Sequence, residues 1–150
     1  MEMAIEIGQK GMRSGAGGPF GAVVVKDNLV ISAAHNRVFE LNDPTAHAEV
    51  EAIRLACKNL NSYQLNGATI YTTCEPCPMC LGAIYWARPD KVIFGCTRND
   101  AAKIGFDDEF IYQEINTPFA ERKIPLIANF RNLALPLFKE WEVMDKPFLY

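Results

Sequence analysis

Two short stretches of this sequence hold the residue types that could do chemistry. His47 and Glu49 stand two apart in Thr45-Ala46-His47-Ala48-Glu49, and Cys77 and Cys80 stand three apart in Pro76-Cys77-Pro78-Met79-Cys80. The first pair falls in the opening turn of one expected helix and the second pair in the opening turn of another. Cysteines three apart at a helix start project to the same side, so two thiolates can grip one metal ion. The positive end of the helix dipole favours the thiolate form that coordinates. One neutral imidazole, from His47, adds a third ligand. Three ligands of this soft-to-borderline kind suit zinc and leave a fourth position for water, the arrangement of a catalytic site. Zinc would bring the pKa of that water to about 7.

Glu49, two residues beyond His47, points about 200° around the helix from it and is no neighbouring ligand. Near a helix end its carboxylate can still reach the water, which suits a proton carrier. Other readings stand beside these. Cys74 precedes Cys77 by three, so a closed site of His47, Cys74, Cys77 and Cys80 is conceivable. The C-x-x-C-x-x-C run also has an iron–sulfur look, but no fourth cysteine follows in the form such clusters use. Cys57 lies on the apolar stripe of its helix and reads as packing. Cys96 reads as a structural thiol after a strand, and His35 as a solvent-facing strand end.

These side chains need a scaffold. Residues 2–14 read as a helix, broken by the Ser- and Gly-rich stretch 13–18. Phe20 to Lys26 and Leu29 to Ala34 read as strands of a hairpin turning at Asp27-Asn28. Asn42-Asp43-Pro44-Thr45 supplies turn and capping residues before a helix over 46–60, where Val50, Ile53, Cys57 and Leu60 recur at helical spacing. A strand over 68–73, a helix starting near Cys77-Pro78 and a strand over 91–95 follow, the proline suiting a first helical position. Helical stretches near 110–115 and 134–142 are expected beyond Gly105, with a short strand near Pro125 to Phe130. The alternation predicts a three-layer α/β/α sandwich around a mixed five-stranded sheet, one domain over 1–150.

Composition narrows the remaining classes. The chain has 150 residues, 49% of them hydrophobic, and a net charge of −3. A length of this order buries a core without disulfide staples. The acidic balance argues against a nucleic-acid binder, which would carry a basic stripe; Arg122-Lys123 is an isolated basic pair. No apolar run approaches the roughly 18 residues of a membrane span, and the N-terminal stretch carries Glu2 and Glu6 where a secretory signal carries positive charge. Five cysteines, three crowded into Cys74, Cys77 and Cys80, do not suit a secreted disulfide framework. The expectation is a reduced, cytoplasmic protein.

His47-Ala48-Glu49 followed by Pro76-Cys77-Pro78-Met79-Cys80 resembles the H-x-E…P-C-x-x-C signature of zinc-dependent nucleobase deaminases. Within that superfamily the chain is most similar to the short bacterial guanine deaminases. The likeness runs through Gly18-Pro19-Phe20-Gly21-Ala22-Val23, the segment Asn42 to Glu49, the stretch Cys74 to Pro89, and Gly105-Phe106-Asp107-Asp108-Glu109-Phe110-Ile111-Tyr112. It implies the cytidine-deaminase-like fold, one zinc per chain on His47, Cys77 and Cys80, and hydrolysis of guanine to xanthine and ammonia.

The resemblance further implies a set of roles. Glu49 moves the water proton to the ring, and Asp108 helps protonate the departing amine. Asn36 and the Ala48 N–H hold the base edge, Phe20 stacks on the base, and Tyr150 closes over it. The tail, about 143–150, is implied to be a strap exchanged between the subunits of a homodimer. Plainer alternatives remain at several positions: Asp108 as a capping or solvated carboxylate, Asn36 as a turn former, Phe20 as sheet packing, and the tail as cover for its own core. At the level of function, the rivals are deamination of cytosine, guanosine, ammeline or a transfer-RNA adenosine, and a zinc module without catalysis.

Overall fold

The computed structural model describes residues 1–145, and the expected contribution of Tyr150 lies outside the described residues. Two compact units divide the chain, Met1–Asp108 and a second beginning at Glu109.

The first unit opens with α1 (Glu2–Arg13) and a hairpin of β1 (Gly21–Lys26) and β2 (Leu29–His35). Its turn takes Asp27 and Asn28 into the left-handed region, at φ 51° and 61°. Turns of that kind match the twist of the strands they join, and Asp and Asn tolerate them. A short helix α2 (Val38–Leu41) leads to α3 (Ala48–Leu60), then β3 (Ala68–Cys74), α4 (Pro78–Ala87), β4 (Lys91–Cys96) and α5 (Arg98–Lys103). Proline at the start of α4 costs nothing, because its missing N–H would have had no helical acceptor. Thr97 and Asp100 close a reciprocal capping box at the start of α5, a helix that the sequence reading had not anticipated.

The strands run in the order β2-β1-β3-β4, with β1 antiparallel to both β2 and β3, and β3 parallel to β4. The sheet is therefore mixed, as expected, but among the described residues it has four strands, not five. The missing strand is the one expected near Pro125 to Phe130. Pro125 offers no N–H to a ladder, and Phe130 turns left-handed at φ 58°, which ends an extended run.

Alternation along the strands assigns each face to different helices. Ala22, Val24, Ala34, Ala68 and Ile70 pack with Ala48, Ala52, Ile53 and Ala56 of α3, and Ile84 and Ala87 of α4 join the same core. Cys57 lies at its margin, in the packing role expected of it. On the other face α1 lies close, backbone against backbone: a Cβ on Gly21 would strike the carbonyl oxygen of Ala4, and one on Gly11 would strike the ring of His35. His35 is thus half-buried against α1, where the sequence reading had it facing solvent.

The second unit holds α6 (Glu109–Asn116), a 3-10 turn at Phe119–Glu121 and α7 (Arg131–Val143), which carries Pro136 inside it. Arg122 donates to the carbonyls of Thr117 and Ile115 and lies 4.7 Å over the Phe119 ring. Its charge is engaged within this unit. Among the described residues no helix is long and apolar enough to cross a membrane.

Candidate metal centre

His47 is the N-cap of α3 and Cys77 the N-cap of α4, both in extended backbone. Cys80 follows in the first turn of α4, where the Leu81 N–H makes the first helical bond back to the Cys77 carbonyl at 2.8 Å. The cluster therefore forms where the positive ends of two helices converge. His47 Nδ1 lies 3.5 Å from Cys77 Sγ and 3.4 Å from Cys80 Sγ. Tetrahedral zinc, about 2.3 Å from sulfur and about 2.0–2.1 Å from nitrogen, would separate such pairs by about 3.6 Å. The three ligand atoms lie within 4.8 Å of one another, and the donor set fits zinc.

Charge is arranged to match. The Cys80 thiol, and then His47, pull the Cys77 thiol down to about 4, while Cys77 and burial push Cys80 up. The hydrogen bond to Cys77 raises His47. Cys74, the candidate for a closed site, stays outside. Its thiol donates to the Thr97 carbonyl at 3.6 Å, and burial first, then nearby Cys96, hold it at about 11.

Glu49 sits in the first turn of α3 and is buried. Its Oε1 accepts from the Thr72 hydroxyl at 2.9 Å, and its Oε2 accepts from the Cys80 thiol at 3.5 Å. Burial raises its carboxyl above the ordinary carboxylate range, a shift that the Thr72 bond opposes. A carboxyl raised in this way takes up and returns protons more readily near neutral pH than a solvated one. Thr72 was not singled out in the sequence. The signal was available: positions 68, 70, 72 and 74 of β3 all face inward, and a polar residue interrupts that row at 72.

The remaining candidates fall around this group in different ways. Asn36 is buried, and its Oδ1 accepts from the Gly18 N–H at 3.3 Å and the Val38 N–H at 3.2 Å, so the side chain does hold two loop segments together. Ala48 opens α3, where the first N–H groups have no acceptor in a preceding turn; the first helical bond comes from Glu51 to the His47 carbonyl. Phe20 packs at the edge of the core and meets Phe106 edge to face, with centroids 4.9 Å apart. Asp108 is half-buried; burial first, then the nearby Cys77, raise its carboxyl.

A mixed sheet that aims two helix starts at one imidazole and two thiols, with a buried carboxylate beside them, is the layout of a metal-dependent hydrolytic site. Residues 1–96 match the cytidine and deoxycytidylate deaminase zinc-binding region, and the chain belongs to that family. It is 52% identical to the guanine deaminase of Bacillus subtilis over 141 residues, 94% of this chain and 90% of that protein. The crystal structure of the Bacillus subtilis guanine deaminase superposes with a TM-score of 0.96 at 50% identity, covering 99% of this chain and 95% of that one. The tRNA-specific adenosine deaminase of Aquifex aeolicus is 54% identical, but over 51% of this chain and 50% of that protein. That shorter match is to a protein of which this chain spans about half.

Proposed function

We propose that this chain is a guanine deaminase, hydrolysing guanine to xanthine and ammonia. The reading is carried by one arrangement: His47, Cys77 and Cys80 converge at two helix starts, with the buried Glu49 carboxylate 3.5 Å from the Cys80 sulfur. The extended likeness to the Bacillus subtilis enzyme, at 52% identity across 94% of the chain, selects guanine among the bases.

His47, Cys77 and Cys80 would hold zinc, which when bound supplies an activated water as nucleophile at neutral pH. Glu49 would take a proton from the attacking water and pass it to the ring nitrogen next to C2 of the purine. Asp108, its carboxyl raised by burial, would give a proton to the departing amine and regain one from the C2 hydroxyl as the C–N bond breaks and the carbonyl forms. Asn36 has its oxygen committed to Gly18 and Val38, so its amide nitrogen is the atom left to donate to an acceptor on the base edge. The Ala48 N–H, at the start of α3, is a second donor to that edge. Phe20 supplies an aromatic face for stacking.

The working form is one deaminase domain per chain in a homodimer. Exposed apolar side chains of the second unit, among them Ile127, Leu133 and Phe138, support a second copy as cover. The compartment is the cytoplasm, where the coordinating cysteines stay reduced. The test is ammonia release from guanine, cytosine, adenine and guanosine by the purified zinc protein. Guanine alone, or guanine far ahead of the others, is the expected result; release from another base and none from guanine would overturn the substrate.

A further inference from the structure

We propose that Thr72 is a positioning residue for Glu49: its hydroxyl pins one carboxylate oxygen, so that the other is presented to the cluster of His47, Cys77 and Cys80. The inference rests on the reading of Glu49 as the proton carrier and deepens it.

Three observations carry the inference. Thr72 is the polar member of the inward row of β3, after Ala68 and Ile70, which pack in the core under α3. It is fully buried, and Glu49 is 6% exposed, so solvent does not substitute for either partner. The hydroxyl has one proton to donate, and it goes to Glu49 Oε1 at 2.9 Å. The carboxylate is thereby divided. Oε1 is held from the sheet side, while Oε2 is the oxygen on the side of the metal ligands, 3.5 Å from Cys80 Sγ.

The platform is well chosen for holding an atom still. β3 is hydrogen-bonded on both sides, and Thr72 itself pairs with Ala22 of β1 and Phe94 of β4. A β-branched side chain on such a strand has little χ1 freedom. Glu49, by contrast, carries its carboxyl on a side chain with three torsions; its own backbone N–H reaches that carboxyl from the helix start, and Thr72 holds it from the sheet side. A buried hydroxyl serving only to satisfy the core could as well have donated to a backbone carbonyl, as Ser32 does to the Ala52 carbonyl at 2.7 Å. Groups that orient a catalytic or ligating side chain in this way typically contribute 10–100-fold to activity.

The test compares Thr72→Val, which keeps the shape and removes the hydroxyl, with Thr72→Ser, which keeps the hydroxyl. On guanine, Thr72→Val should lose about 10–100-fold in kcat with KM little changed and the zinc retained, and Thr72→Ser should recover most of that loss. The crystal structure of zinc-loaded Thr72→Val should have the Glu49 carboxyl turned from its place. Wild-type kcat in Thr72→Val, a loss that follows zinc content, or an unmoved Glu49 overturns the inference. If Thr72→Val does not fold, Thr72→Ala against Thr72→Ser gives the same comparison. Glu49→Gln measured alongside separates the two levels. If it is inactive while Thr72→Val is fully active, only the role of Thr72 falls; if it keeps its turnover, the proton-carrier reading falls and takes this one with it.

Discussion

Replacing Glu49 by Gln changes one atom's chemistry and almost nothing of its shape. The amide oxygen can still accept from the Thr72 hydroxyl, which now lies 2.9 Å from Oε1, so the side chain keeps its anchor. In place of Oε2 stands an NH₂ group that can accept no proton. The position is 6% exposed, so bulk solvent is a poor substitute for it. Removing a positioned proton carrier costs about 10²–10⁴ in rate, which at about 1.36 kcal/mol per tenfold is about 2.7–5.5 kcal/mol of barrier. Stability should move far less, because volume and the Thr72 bond survive: a melting temperature within about 2–4 °C, the equivalent of about 1 kcal/mol in a chain of this size. The assay is steady-state guanine turnover, with zinc content and thermal melting on the same preparation. A folded, zinc-loaded Glu49→Gln protein that keeps more than about a tenth of wild-type kcat falls outside that range and refutes the role.

X-ray absorption at the zinc edge should find sulfur and lighter neighbours in equal numbers, from Cys77, Cys80, His47 and water; three sulfurs would mean that Cys74 ligates. Gly21→Ala should destabilise the fold by about 1–3 kcal/mol, because its methyl would meet the Ala4 carbonyl and force α1 off the sheet, and a melting curve like that of the wild type would contradict the packing. Asp100 is held at about 2, first by the Thr97 hydroxyl. A carboxyl depressed from 3.8 stabilises the fold above that pH and loses its contribution as pH falls toward 2, so the melting gap between wild type and Asp100→Asn should narrow from pH 6 to pH 3; a gap that widens reverses the sign.

The ligand set was legible because its spacing is local. His47 and the Cys77/Cys80 pair announce themselves by residue type, and Pro78 marks the helix start that aims the thiols. The hairpin was legible for the same reason, since Asp27-Asn28 is a turn that needs no tertiary context. The loop role of Asn36 needed partners 18 residues back and two ahead, and Thr72 needed a helix 23 residues away. His35 was misread because a strand end looks solvent-facing until Gly11 brings α1 against it. The strand expected around Pro125 rested on local composition alone, whereas a strand exists only where another backbone supplies its hydrogen bonds. The Thr97-x-x-Asp100 box is local in sequence, each side chain capping the other residue's backbone N–H.

The central claim, hydrolytic deamination of guanine, makes the oxygen of the product come from water. Turnover of guanine in ¹⁸O-enriched water, followed by mass spectrometry, tests that directly. The account predicts xanthine carrying one solvent-derived oxygen at C2 and one ammonia released per xanthine formed, with both lost in Glu49→Gln. Guanine recovered unchanged from the zinc-loaded protein, or ammonia formed without labelled xanthine, would contradict it.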